Sequence, residues 1–145
     1  MKIIALDIGD VWTGCAISDE LQLVARPFQT VETSKLVNFL EPLIVQGTVG
    51  VIVVGHPRTM RGTSSDQTKK VERIKQDLEA RFPGVQWLFW DERLSSKRAE
   101  QLKKARTKEE KIHSHSIAAA FILESYLVFR SMARAAHEDD ENQSD

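Results

Sequence analysis

MKIIALDIGDVWTGCAISD, residues 1–19, is the stretch whose reading decides the fold. Lys2 to Leu6 is a short apolar run that ends in Asp7, the pattern of a buried strand with a carboxylate at its exit. Gly9 and Gly14 bracket a turn, and Cys15 to Ser18 resumes an apolar strand before a second turn at Asp19. Leu21 to Val31 is extended in character. Pro27 within it argues for a sheet edge, because proline has no N–H to give to a ladder. Short strands separated by these turns predict an antiparallel three-strand meander.

Further along, the apolar period changes. Thr33 or Ser34 can cap a helix on which Leu36, Phe39, Leu40 and Leu43 are helically spaced, while Pro42 should end or bend it. VIVVG (51–55) is a β-branched run of the kind covered on both faces. A polar loop, His56 to Ser65, precedes a helix expected from about Ser65 to Phe82, with Val71, Ile74 and Leu78 facing inward and Pro83-Gly84 as its stop. Val85 to Trp90 reads as another strand, again leading into acid at Asp91-Glu92. A helix from about Ser95 to Lys104, a charged linker, and a long final helix opened by His115 or Ser116 complete the chain. The order predicts an α/β fold: a mixed five-stranded sheet, three-strand antiparallel meander plus two βα crossovers, flanked by helices on both faces. A single domain is expected over 1–136, with 137–145 (HEDDENQSD) as an acidic disordered tail.

Composition narrows the function classes. A net charge of -1 does not mark a nucleic-acid binder, but the average conceals basic stretches at 69–75 and 97–111. Lys69, Lys70 and Arg73 read as the wet face of an amphipathic helix. The basic residues that follow the second acidic motif read better as a phosphate-tracking rim. With one cysteine, Cys15, the chain has neither a disulfide framework nor a cysteine zinc site. The first apolar run is broken by Asp7 before it can form a signal-peptide core, and no run reaches the roughly 20 apolar residues of a membrane span. The expected location is the cytoplasm, with no membrane partner.

Two predicted strands end in carboxylates. If they are parallel, Asp7 and Asp91-Glu92 emerge at one edge of the sheet, where open α/β sheets bind ligands. Carboxylates gathered there repel, and a hard divalent cation that keeps several waters relieves the repulsion. An aspartate at a strand end is also a common turn residue, which is the better reading of Asp10 and Asp19. Asp-x-Gly with a second glycine in a β-turn-β resembles the phosphate hairpin of actin-like ATPases, but those need two lobes and this chain has residues for one. His56, His113 and His115 form a weaker zinc candidate, since loops often carry solvated histidines.

Together, LDIGD with G-x-AISD at the start, VIVVGHPRTMRG (51–62), WDERLSS (90–96) and HSIAAAFILESYL (115–127) resemble the pre-16S ribosomal RNA nuclease family, also described as Holliday-junction resolvases, from Met1 to about Met132. The resemblance implies a ribonuclease-H-like fold and a metal-dependent endonuclease acting on structured nucleic acid, using Mg2+ or Mn2+. Its expected role is maturation of the 5′ end of pre-16S rRNA. A resolvase of branched DNA, or a catalytically weak RNA-binding assembly factor, is the alternative. The implied catalytic set is Asp7, Asp91, Glu92 and His115, with Asp7, Asp91 and Glu92 as metal ligands. The implied nucleic-acid contacts are Trp12, Arg58, Arg61, Arg93, Lys97, Lys103 and Lys104. Expected partners are structured pre-rRNA or branched DNA and ribosomal particles, with the chain a monomer or weak homodimer. Two positions depart from the family pattern. Val11-Trp12 stands where a Lys-Arg pair is usual, and Trp12 can stack on an unpaired base. His115 stands where the family has its third acid, and imidazole suits manganese better than magnesium.

Overall fold

The computed structural model describes residues 1–57, 65–92, 104 and 107–143. Five strands, β1 (Lys2–Ile8), β2 (Trp12–Ser18), β3 (Ala25–Glu32), β4 (Val49–His56) and β5 (Gln86–Asp91), form one sheet in the order β3-β2-β1-β4-β5. β1–β2 and β2–β3 pair antiparallel, while β1–β4 and β4–β5 pair parallel, as the meander-plus-crossover reading requires. Pro27 does lie on an edge strand. The ladder slips there, with Cys15 opposite Gln29 and Ala16 opposite Pro27, so Phe28 is the extra residue of a bulge.

Helix α1 (Leu36–Val45) follows a 3₁₀ turn at Thr33–Lys35, so neither Thr33 nor Ser34 caps it. Pro42 does not break it. The stop is Gly47, whose φ of 74° suits a residue without Cβ. Gly47 N–H donates to Ile44 O at 3.1 Å and Thr48 N–H to Leu43 O at 3.1 Å, which satisfies the last carbonyls. Helix α2 (Asp66–Arg81) opens on Ser65, whose hydroxyl accepts from Thr68 N–H at 3.2 Å while Ser65 N–H donates back to Thr68 Oγ1.

The final helix, α3 (Lys108–Gln143), corrects two expectations. It starts about two turns before His115, because Thr107 and Glu110 form a capping box: Glu110 N–H donates to Thr107 Oγ1 at 3.0 Å and Thr107 N–H to Glu110 Oε2 at 3.2 Å. It also continues through 137–143, where a disordered tail was expected; neither proline nor glycine interrupts that stretch. The helix expected at 95–104 falls almost entirely outside the described residues. By length and composition α3 passes as a membrane span, yet Ala118, Ala119, Ile122, Leu123 and Leu127 on it are buried in the protein core.

Strand alternation divides the interior into two cores. On one face Ile4, Leu6, Ile8, Cys15, Ile17, Ile52 and Val54 meet Leu36 and Leu40 of α1 and Val71 and Leu78 of α2. On the other, Ile3, Ala5, Ala16 and Val53 meet Ala119, Ile122, Leu123, Tyr126 and Leu127 of α3. Each fully buried leucine or isoleucine stabilises the fold by about 1.5–3 kcal/mol.

Candidate active site

Asp7 lies one residue before the end of β1 rather than beyond the strand, only 4% exposed and paired with Gly14 of β2. Ile3 and Ala5 point toward α3, so alternation sends Asp7 to the same face. In the parallel register Leu6 stands beside Val54, which sets Asp7 level with Gly55 of β4.

Gly55 is what lets the second acid approach. A Cβ built there would lie 2.7 Å from Glu92 Oε1 and 2.9 Å from Ile122 Cδ1 of α3. The absent side chain lets Glu92, just past β5, and Ile122 of α3 close onto the strand at Gly55, level with Asp7, on the face that α3 covers. Asp91 takes the other direction. It pairs with His56, and alternation in β5 puts it with Trp87 and Phe89 toward α2, while Leu88 and Trp90 face α3. The two adjacent acids expected to act as a unit are therefore split between faces, and Glu92 is the one that joins Asp7.

His115 is brought to this corner by close packing. A Cβ at Gly14 would sit 1.9 Å from the His115 carbonyl oxygen, so the main chain of α3 rests directly on the strand residue paired with Asp7. Thr30 of β3 ties down the same turn, its hydroxyl donating to Ile112 O at 2.8 Å. The side chain of His115 is half-buried. Sequence reading missed Gly14 and Gly55 as shaping residues. A glycine inside a strand is the available signal, since it often marks close approach of another backbone.

Trp12, the first residue of β2 and half-buried, falls by alternation on the face of Gly14, and so on that of Asp7. Lys104 is exposed. Arg58, Arg61, Arg93, Lys97 and Lys103 lie outside the described residues. The three histidines do not gather: His56 is buried on the α2 side, hydrogen-bonded to Glu72 at 2.8 Å and stacked on Phe89 at 4.4 Å, while His113 is exposed on α3. Lys70 pairs with Asp10 at 3.1 Å on the surface, consistent with a solvated α2 face. Asp19 is a turn residue: its Oδ1 accepts from Leu23 and Val24 N–H at 2.8 Å. The hydrogen bond from Val24 leads the effects that hold its carboxyl below the ordinary 3.8.

Two hard-oxygen carboxylates on one sheet face suit a divalent cation that keeps most of its water. Among the described residues no three His, Cys, Asp or Glu side chains already form a closed metal cluster.

This mixed sheet, covered on one face by the last helix, is a ribonuclease-H-like fold. Thermus thermophilus RuvC in complex with a Holliday junction substrate superposes with a TM-score of 0.61 at 16% identity, covering 91% of this chain and 96% of that one. A second Thermus thermophilus RuvC structure gives 0.53 at 13% identity over 90% and 96%. The chain belongs to the RuvX Holliday junction resolvase family, which it matches over residues 1–128. A Rubrobacter xylanophilus relative named "Putative pre-16S rRNA nuclease" is 39% identical over 127 residues, 87% of this chain and 91% of the relative. One of the same name from Carboxydothermus hydrogenoformans is 37% identical over 90% and 99%. The chain is a hydrolase acting on phosphodiester bonds of nucleic acid.

Proposed function

We propose that Asp7 and Glu92 hold a magnesium ion, or manganese, and that the chain cleaves structured RNA in the cytoplasm to mature the 5′ end of pre-16S rRNA on ribosomal precursor particles. The observation that carries this reading is the close approach of Glu92 to Gly55, which is level with Asp7 on the same sheet face. When bound, such an ion neutralises charge on the scissile phosphate and activates water. The chain supplies the rest. Burial of Asp7 keeps bulk water from its carboxylate, the β1–β4 register sets it level with Gly55, and Gly14 lets α3 bring His115 to the same corner. Trp12 offers an aromatic surface for an unpaired base beside the attacked phosphate. Lys104, with Arg58, Arg61, Arg93, Lys97 and Lys103 from outside the described residues, forms the basic rim that tracks the backbone.

The test is incubation of purified protein with labelled precursor rRNA and with four-way DNA junctions, each in magnesium or manganese. Specific 5′ trimming of the RNA, abolished in Asp7→Asn with the fold intact by circular dichroism, is the expected result. Cleavage of junctions alone would move the substrate to branched DNA, the alternative that the family name favours. Turnover unchanged in Asp7→Asn would overturn the site. His115→Asp, which restores an acid at this corner, should raise magnesium-supported cleavage relative to manganese.

A further inference from the structure

The family match ends at residue 128, but α3 does not. Its buried residues stop at Leu127, and beyond them every residue to Gln143 is exposed except the half-buried Arg130. Helices draw most of their stability from packing an apolar face, and this arm packs almost none. Its charge order works against it as well. Arg130 and Arg134 come first; Glu138, Asp139, Asp140 and Glu141 then crowd the carbonyl end, where the last turn has no basic residue. Negative charge at that end opposes the helix dipole. Within the arm, His137 and Glu141 lie 3.5 Å apart, but both side chains are well exposed and the pair is weak.

Apolar side chains stand open along the same stretch. Val128 is 55% and Met132 69% exposed, and across from them in the β2–β3 loop Leu23 is 69% exposed. Between arm and loop runs a groove lined by Leu23, Ser131, Arg134 and Glu138 among others. We propose that this groove and arm seat the same arm of a second copy, running antiparallel about a two-fold axis. Antiparallel order sets the basic half of each arm against the acidic half of the other. Arg134 and Glu138 are one turn apart on the helix, so an axis near Ala136 brings each Arg134 level with Glu138 of the other copy, twice by symmetry. Leu23 and the apolar stem of Met132, level with Asp140 of the other copy, are covered in the same step, and each Glu138 gains a cation across the axis.

Sedimentation equilibrium of the full chain at low and high salt tests this. The expected result is a reversible dimer that weakens as salt rises. Arg134→Glu should weaken association by about tenfold, as two ion pairs become repulsions. Adding Glu138→Arg in the same chain restores opposite charges across the axis and should recover the dimer. Met132→Glu should dissociate it, with far-UV circular dichroism showing that the domain remains folded. A chain monomeric at every concentration overturns the proposal and leaves the face to a foreign partner. A dimer indifferent to Arg134→Glu, or one the double variant fails to restore, overturns the antiparallel pairing.

Discussion

The two faces of the sheet are packed on different terms. Toward α1 and α2 the strands present Ile4, Leu6, Ile8, Ile17, Ile52 and Val54, bulky side chains that fill space between layers. Toward α3 they present Ile3 and Val53 but also Ala5, Gly14, Ala16 and Gly55, met by Ala119, Ala120, Ile122 and Leu123. The first face buries apolar area. The second does so too, but at Gly14 and Gly55 it gives up side-chain volume so that the α3 main chain and the Glu92 side chain approach the strands, and it is the one that carries Asp7 and Glu92. The candidate site is made by subtraction: Glu92 lies against β4 level with Asp7 because Gly55 between them has no side chain.

The largest expected effect comes from separating the adjacent acids. Glu92→Gln, on the α3 face, should lower cleavage by roughly 100-fold or more, the scale of losing several kcal/mol of metal-assisted stabilisation. Asp91→Asn, on the α2 face, should stay within a few-fold of wild type. Single-turnover rates on one substrate decide it, and equal losses in both would erase the distinction between faces.

Next come the glycines, read by denaturant unfolding. Gly14→Ala drives a methyl group into the His115 carbonyl and should cost about 3 kcal/mol, the upper end of overpacking. Gly84→Ala meets nothing within 4 Å and should change stability by no more than about 0.5 kcal/mol. A tolerated Gly14→Ala would mean that α3 can lift off the sheet without strain.

The smallest effect belongs to Cys15, on the densely filled face. Burial pushes its thiol from 9.0 up to about 12. Its neutral form therefore favours the folded state fully below pH 9, and that contribution is lost as pH rises from 9 toward 12, because the unfolded chain ionises first. At pH 8 a thiol reagent should label the native chain ~100-fold more slowly than the chain in urea, and Cys15→Ala should lessen the alkaline loss of stability.

Element order, the mixed sheet and the edge position of β3 were legible in the sequence because their signals are local: alternation, glycine punctuation, and a proline at position 27. The carboxylates were legible as residue types at the carboxyl ends of strands. The capping box at Thr107 and Glu110 was equally local and went unread, which misplaced the start of α3. What only the tertiary structure decided is which acids share a face. Alternation says that Asp91 and Glu92 point apart, but choosing the one that joins Asp7 requires the register of β5 on β4 and of β4 on β1. The contact of Gly14 with His115 joins positions about a hundred residues apart, and neither residue announces the other. A pattern along the chain reports how each segment divides polar from apolar. Close approach between distant backbones depends on what is missing from both at once, and only the packed chain specifies that.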